Sequence, residues 1–156
     1  MPLIAPQTHD TEVGPIPLMI WNRGKHLLTG VTVTIRNTRE WGDPNTSMAS
    51  FFRPPLEVGV VHPGWPKVLA QTIEPNPDSK TGVDTYYIEI QTQSEMYVEQ
   101  LEFRKGHNAF PWAHRYRVTK EIVTVGLKHS ETRQIMDIPF TRWSDDAGEG
   151  KPVTKP

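Results

Sequence analysis

A chain of 156 residues with 22% charged residues and a net charge of −1 is long enough for one domain with a real core. Near-neutrality removes the electrostatic reason to expect a polyanion, so nucleic acid is not an expected partner. The absence of cysteine excludes a disulfide framework, a thiolate zinc site and a cysteine nucleophile.

The first 14 residues, "MPLIAPQTHDTEVG", are polar and unpatterned and read as a mobile segment. They carry neither a basic stretch nor a long apolar run, so a secretory signal is not expected. No window approaches the roughly 18 apolar residues of a membrane span. The domain is expected over residues 15–142. It opens with "PLMIWN" as a strand, "RGKHLLTG" as a connection and "GVTVTIRN" as a second strand. In the latter Val31, Val33 and Ile35 share one face and Thr32, Thr34 and Arg36 the other. The two runs are expected to pair as a hairpin, with Gly24 and Gly30 where the reversal needs positive φ.

A loop, "EWGDPNTSMASFFRPP", leads into "LEVGVV", the turn "HPGWP" and the strand "KVLAQTI". Asn45-Thr46-Ser47 in that loop matches a glycosylation triplet, but these are ordinary turn residues. Then come three alternating runs, "DTYYIEIQT", "MYVEQLEFR" and "WAHRYRVT", with links too short for anything but antiparallel neighbours. Tyr86, Ile88 and Ile90 form one face; Trp112, His114, Tyr116 and Val118 oppose Ala113, Arg115 and Arg117. Glu89, Glu99 and Glu102 are expected to face Arg115 and Arg117 across strands. "IVTVGLK" and "QIMDIPF" add one or two strands, and residues 143–156 read as a mobile tail. About eight half-buried strands need a second sheet over their apolar side. The expected fold is all-β, a two-sheet antiparallel sandwich of immunoglobulin-like type, with a partly open barrel as the fallback.

"IWNRGKHLLTGVTVTIRN" resembles the early hairpin of bacterial immunoglobulin-like adhesion-type modules, including the CARDB group, through Asn22, Gly24, Leu28, Val31, Val33 and Ile35. The run "YYIEIQTQSEMYVEQLEFRKGHNAFPWAHRYRV" is similar to a segment of uncharacterised bacterial proteins that carry membrane helices upstream of a β-rich region. That resemblance implies a soluble domain tied to a membrane through an upstream anchor. It implies no catalytic residue.

Chemistry-bearing motifs are few. There is no Gly-x-Ser-x-Gly elbow, no phosphate-binding Gly-Lys-Ser/Thr loop and no His-Glu-x-x-His pair. His107 and His114 come nearest to a metal pair, yet a third ligand would have to arrive from another loop; no metal or other cofactor is expected. The basic and aromatic residues of "FRKGHNAFPWAHRYRVTK" suggest single-stranded nucleic acid, but alternation puts Arg115 and Arg117 opposite the aromatics. Asp145, Asp146 and Glu149 form an acidic cluster without a scaffold for calcium. Trp41, Trp65 and Trp143 sit in or beside loops, where they either plug the sandwich ends or stack on a partner. The resulting expectation is a non-enzymatic interaction or structural module. Its binding residues are Trp41, Asp43, His62 and Trp65 on end loops, and "PLMIWN" is an exposed edge strand. A protein is the expected partner. A carbohydrate-binding or carbohydrate-active, metal-dependent accessory domain is the first alternative, and a self-assembling phage or structural subunit the second.

Overall fold

The computed structural model describes residues 1–6, 15–39, 54–76, 81–106, 112–125, 130–138 and 140–147. Among these are nine strands: β1 (Pro2–Pro6), β2 (Ile16–Asn22), β3 (Leu28–Asn37), β4 (Leu56–Val61), β5 (Lys67–Ile73), β6 (Asp84–Gln91), β7 (Met96–Lys105), β8 (Trp112–Val125) and β9 (Ser130–Ile138). One helical turn, α1 (Ser144–Ala147), follows. The strands form two antiparallel sheets, ordered β1-β2-β5 and β4-β3-β6-β7-β8-β9. The fold is a two-sheet antiparallel β-sandwich.

Alternation decides which side chains meet between the sheets. Val31, Val33 and Ile35 of β3, Tyr86, Ile88 and Ile90 of β6, and Leu101 and Phe103 of β7 are all buried. They pack with Ile16, Leu18 and Ile20 of β2, Leu69 and Ile73 of β5, and Leu3 and Ile4 of β1 in one cluster. Each such side chain contributes about 1.5–3 kcal/mol by leaving water, as an upper bound. Tyr86 meets Phe103 edge to face at 5.9 Å, which joins β6 and β7 at the end of the core.

Several sequence expectations are corrected. The residues of β2 and β3 do not form a hairpin: both runs bury one face, and they bury them against each other from opposite sheets. "PLMIWN" is not an edge strand either, since β2 lies between β1 and β5. Pro17 fits there because the pairing with β5 is irregular between Pro17 and Met19, where an N–H donor is missing. Residues 1–14 are not wholly a mobile segment. "PLIAP" forms β1, and its Leu3 and Ile4 are almost fully buried. Three consecutive apolar residues between prolines show no alternation, which is why the pattern hid it.

Residues 143–147 likewise belong to the folded body. Trp143 lies beneath the guanidinium groups of Arg104 and Arg115, at 4.7 and 4.6 Å. Arg115 also covers Phe140 at 4.5 Å and pairs with Glu102 at 2.8 Å. Asp145, instead of joining an open acidic cluster, pairs with Arg104 at 2.9 Å and is buried. Of the three glutamates expected against arginines of β8, Glu102 meets Arg115, whereas Glu89 pairs with Arg36 of β3 at 3.2 Å. Glu99 points into the core, on the same face as Leu101 and Phe103.

Candidate functional site

One end of the sandwich is built around Asn22, the last residue of β2. Its side chain is 3% exposed and fully used: Nδ2 donates to the carbonyls of His26 (2.7 Å) and Val61 (3.1 Å), and Oδ1 accepts from Gly24 N–H (2.9 Å). One amide therefore folds the 23–27 connection back on itself and ties it to the end of β4. Gly24 is not at positive φ; a Cβ there would stand 3.2 Å from Asn22 Oδ1, so its role is close approach. Gly30 does sit at φ 59, where the β3–β4 pairing shifts register. Asn22→Ala is expected to destabilise the protein by roughly 2–3 kcal/mol, because two carbonyls and one N–H lose their partner together. Urea denaturation measures this, and a change under about 0.5 kcal/mol would remove Asn22 as the organiser.

The turn after β4 is held to the same residue. Gly64 N–H donates to the Asn22 carbonyl (3.2 Å), Trp65 N–H donates to the His62 carbonyl (3.2 Å), and Pro63 bridges Asn22. His62 and Trp65 are thus brought together on one turn. Trp65 is 75% exposed, the most exposed large apolar side chain among the described residues. Trp41 and Asp43, the other two expected binding residues, lie outside the described residues, as does His107. His114 is on the inward face of β8, its ring 6.2 Å from that of Phe103. Among the described residues, no three His, Asp or Glu side chains converge as metal ligands.

Beside this turn lies a cleft of about 390 Å³. Its walls are the 24–29 connection, with Lys25, His26 and Leu27, and the β6–β7 turn, with Thr92, Gln93 and Ser94. The walls are joined by Thr29, whose hydroxyl meets Gln93 Oε1 (2.9 Å) and whose carbonyl accepts from Gln93 N–H (3.0 Å). Glu95 is neutralised where it stands, by Lys120 Nζ at 2.6 Å and by the Tyr97 hydroxyl, which donates to it. The bond from Lys120, then that from Tyr97, holds the Glu95 carboxyl below its ordinary range. Burial, then the bond to Glu95, raises the Tyr97 phenol. What the cleft offers a ligand is therefore apolar surface from Leu27 and donors from Lys25, His26 and Ser94.

No single pattern in the sequence marks this cleft, because its walls are 64 residues apart. The "N-x-G" of Asn22 and Gly24 was its one legible sign. No protein-family model, curated protein or solved structure matches the chain significantly. Among the described residues no helix is long and apolar enough to cross a membrane.

Proposed function

We propose that the chain is a non-enzymatic interaction module of immunoglobulin-like type, holding a protein partner through the loops at one end. The observation that carries this reading is Trp65, 75% exposed on a turn that two backbone hydrogen bonds fix in place. An indole that keeps its apolar surface in water is favourable only where something covers it, and ordering the backbone of its turn beforehand lowers the entropy lost on binding. Exposed Leu27 at the same end adds apolar surface, and the Lys25–His26 wall supplies the polar rim.

The immunoglobulin-like part of the reading is supported by strand order. Lettered in sequence, β1-β2-β5 against β4-β3-β6-β7 is A-B-E against C′-C-F-G, the Greek-key arrangement of small extracellular-type sandwiches. β8 and β9 then extend the second sheet beyond its G strand. On this reading the domain is the soluble part of a membrane-anchored bacterial protein, presenting its Trp65 end to the partner.

Trp65→Ala is expected to fold with an unchanged thermal transition, since the side chain packs on little, and to lose its partner. Affinity capture from cells of the source, wild type beside variant, measures this. A loss of at least tenfold in the captured partner supports the loop end, and equal capture removes Trp65 from the site. Capture of a glycan in place of a protein moves the reading to a carbohydrate-binding module.

A further inference from the structure

β1 is held by few bonds for a strand so deeply buried. It pairs with β2 along one edge, from Pro2↔Asn22 to Pro6↔Leu18, and its other edge meets no strand among the described residues. Its two prolines have no N–H to give. Across the sandwich it packs on β7, where Ile4 N–H donates to Glu99 Oε1 at 2.8 Å. Leu3 and Ile4 are 2% and 0% exposed, so β1 fills a groove bounded by β2 and the inward face of β7.

The floor of that groove holds a group that the rest of the core does not satisfy. Glu99 is fully buried, and its Oε2 has no hydrogen-bond partner. Ile4 faces it from β1, Ile88 stands opposite on β6 and Val118 opposite on β8, while β2 presents Ile16, Leu18 and Ile20 to the core. No cation is among them. On its own strand the neighbours on that face are Leu101 and Tyr97, whose hydroxyl is turned to Glu95; along the same face of β8 come Lys120, whose ammonium is held by Glu95 at 2.6 Å, and on the other side of Val118 Tyr116 and His114. Burial pushes the Glu99 carboxyl up to about 8, and Ile4 N–H offsets only part of that. A carboxylate formed here has one donor in a fully buried place, and lifting β1 away hydrates it.

We propose that β1 is an exchangeable strand latched by Glu99, and that the groove it vacates takes β1 of a second copy of this chain. The groove is shaped for "PLIAP": it offers the edge of β2 over five paired residues and buried places for Leu3 and Ile4. A second copy carries the identical strand, and reciprocal exchange between two copies closes on itself without leaving an empty groove. Residues 7–15, which join β1 to β2, span at most ~30 Å extended, enough for β1 to reach a neighbour. Ionisation of Glu99 favours the released form, so exchange speeds up as pH rises. This inference is independent of the loop-end reading.

The test uses the absence of native cysteine. Ala5 of β1 lies opposite Met19 of β2, so Ala5→Cys and Met19→Cys are made in separate chains with different mass tags. The two are mixed under reducing conditions at pH 6 or pH 9, both samples are returned to pH 7, and the thiols are oxidised. A disulfide between the two tagged chains forms where β1 of one pairs with β2 of the other. The expected result is a rise of the order of tenfold or more in that species after pH 9, and no rise when both chains also carry Glu99→Gln. Equal yields from pH 6 and pH 9 would overturn the proposal, as would a rise undiminished by Glu99→Gln. Should Glu99→Gln fail to fold, the contrast between pH 6 and pH 9 decides alone.

Discussion

Glu99→Gln is expected to flatten the dependence of stability on pH and to leave the variant more stable than the wild type at pH 9. In the folded chain burial raises the Glu99 carboxyl from its ordinary value of 4.5 to about 8. Between those values the folded protein holds a proton that the unfolded chain has released. Stability from this group is therefore fully present below about 4.5, declines as pH rises, and is gone above about 8. Over the whole window the loss is on the order of a few kcal/mol. Gln has the same shape and keeps an oxygen for Ile4 N–H, but cannot ionise. At pH 5 it exchanges one unsatisfied acid hydroxyl for an unsatisfied amide NH2, a difference of about 1 kcal/mol or less. The difference in Tm between variant and wild type, followed from pH 5 to pH 9, isolates Glu99 from every other titrating group. Parallel curves would show that the carboxyl reaches water or an uncounted partner, and the account of the core would be wrong.

Glu99 also illustrates what a sequence shows and hides. Period-two alternation in "GVTVTIRN" and "YYIEIQT" marked the inward faces of β3 and β6 correctly, because apolar side chains at i, i+2 and i+4 have only one face to bury. The short links of the β6–β7–β8 meander left antiparallel pairing as the one solution. Alternation equally puts Glu99 in phase with Tyr97, Leu101 and Phe103, but a glutamate among arginines reads as their partner, and that expectation set Glu99 against Arg115 and Arg117. The strand residues of β2 and β3 were legible while their pairing was not: a run with one apolar face reads the same whether its partner is beside it or across the core. β1 escaped because five residues cannot show a period, and Trp143 because its cover, Arg104 and Arg115, comes from strands far back in the chain. Of the expected site, His62 and Trp65 share a turn, but the cleft beside them depends on pairing between distant segments that no local pattern encodes.

At the end of the sandwich away from Asn22, Asp84→Ala is expected to destabilise the fold by roughly 3–5 kcal/mol. Asp84 opens β6 and is 2% exposed, yet its carboxylate is the acceptor for three residues from two other segments. Asn37 Nδ2, at the end of β3, reaches both oxygens at 3.2 Å. Asn76 N–H, just beyond β5, donates at 3.0 Å, and Arg39 closes the set, its Nε 3.1 Å from Oδ1 and Nη2 3.2 Å from Oδ2. One buried charge thus joins the ends of β3 and β5, which lie in different sheets, to the start of β6. Removing it takes the acceptor from the buried Asn37 amide and unties Asn76 N–H from β6, so the penalty exceeds that of a lost surface pair. Arg39 is nearly half exposed, and Arg39→Ala is expected to lose only about 0–1 kcal/mol, because water replaces the guanidinium and the two amide donors still hold the carboxylate. Asp84→Asn should fall between the two, keeping one oxygen and the volume while losing the charge. Urea denaturation of the three variants gives the order directly. A result with Arg39→Ala as damaging as Asp84→Ala would mean that the ion pair, and not the convergence of backbone and amide donors on one buried acceptor, holds the two sheets together there.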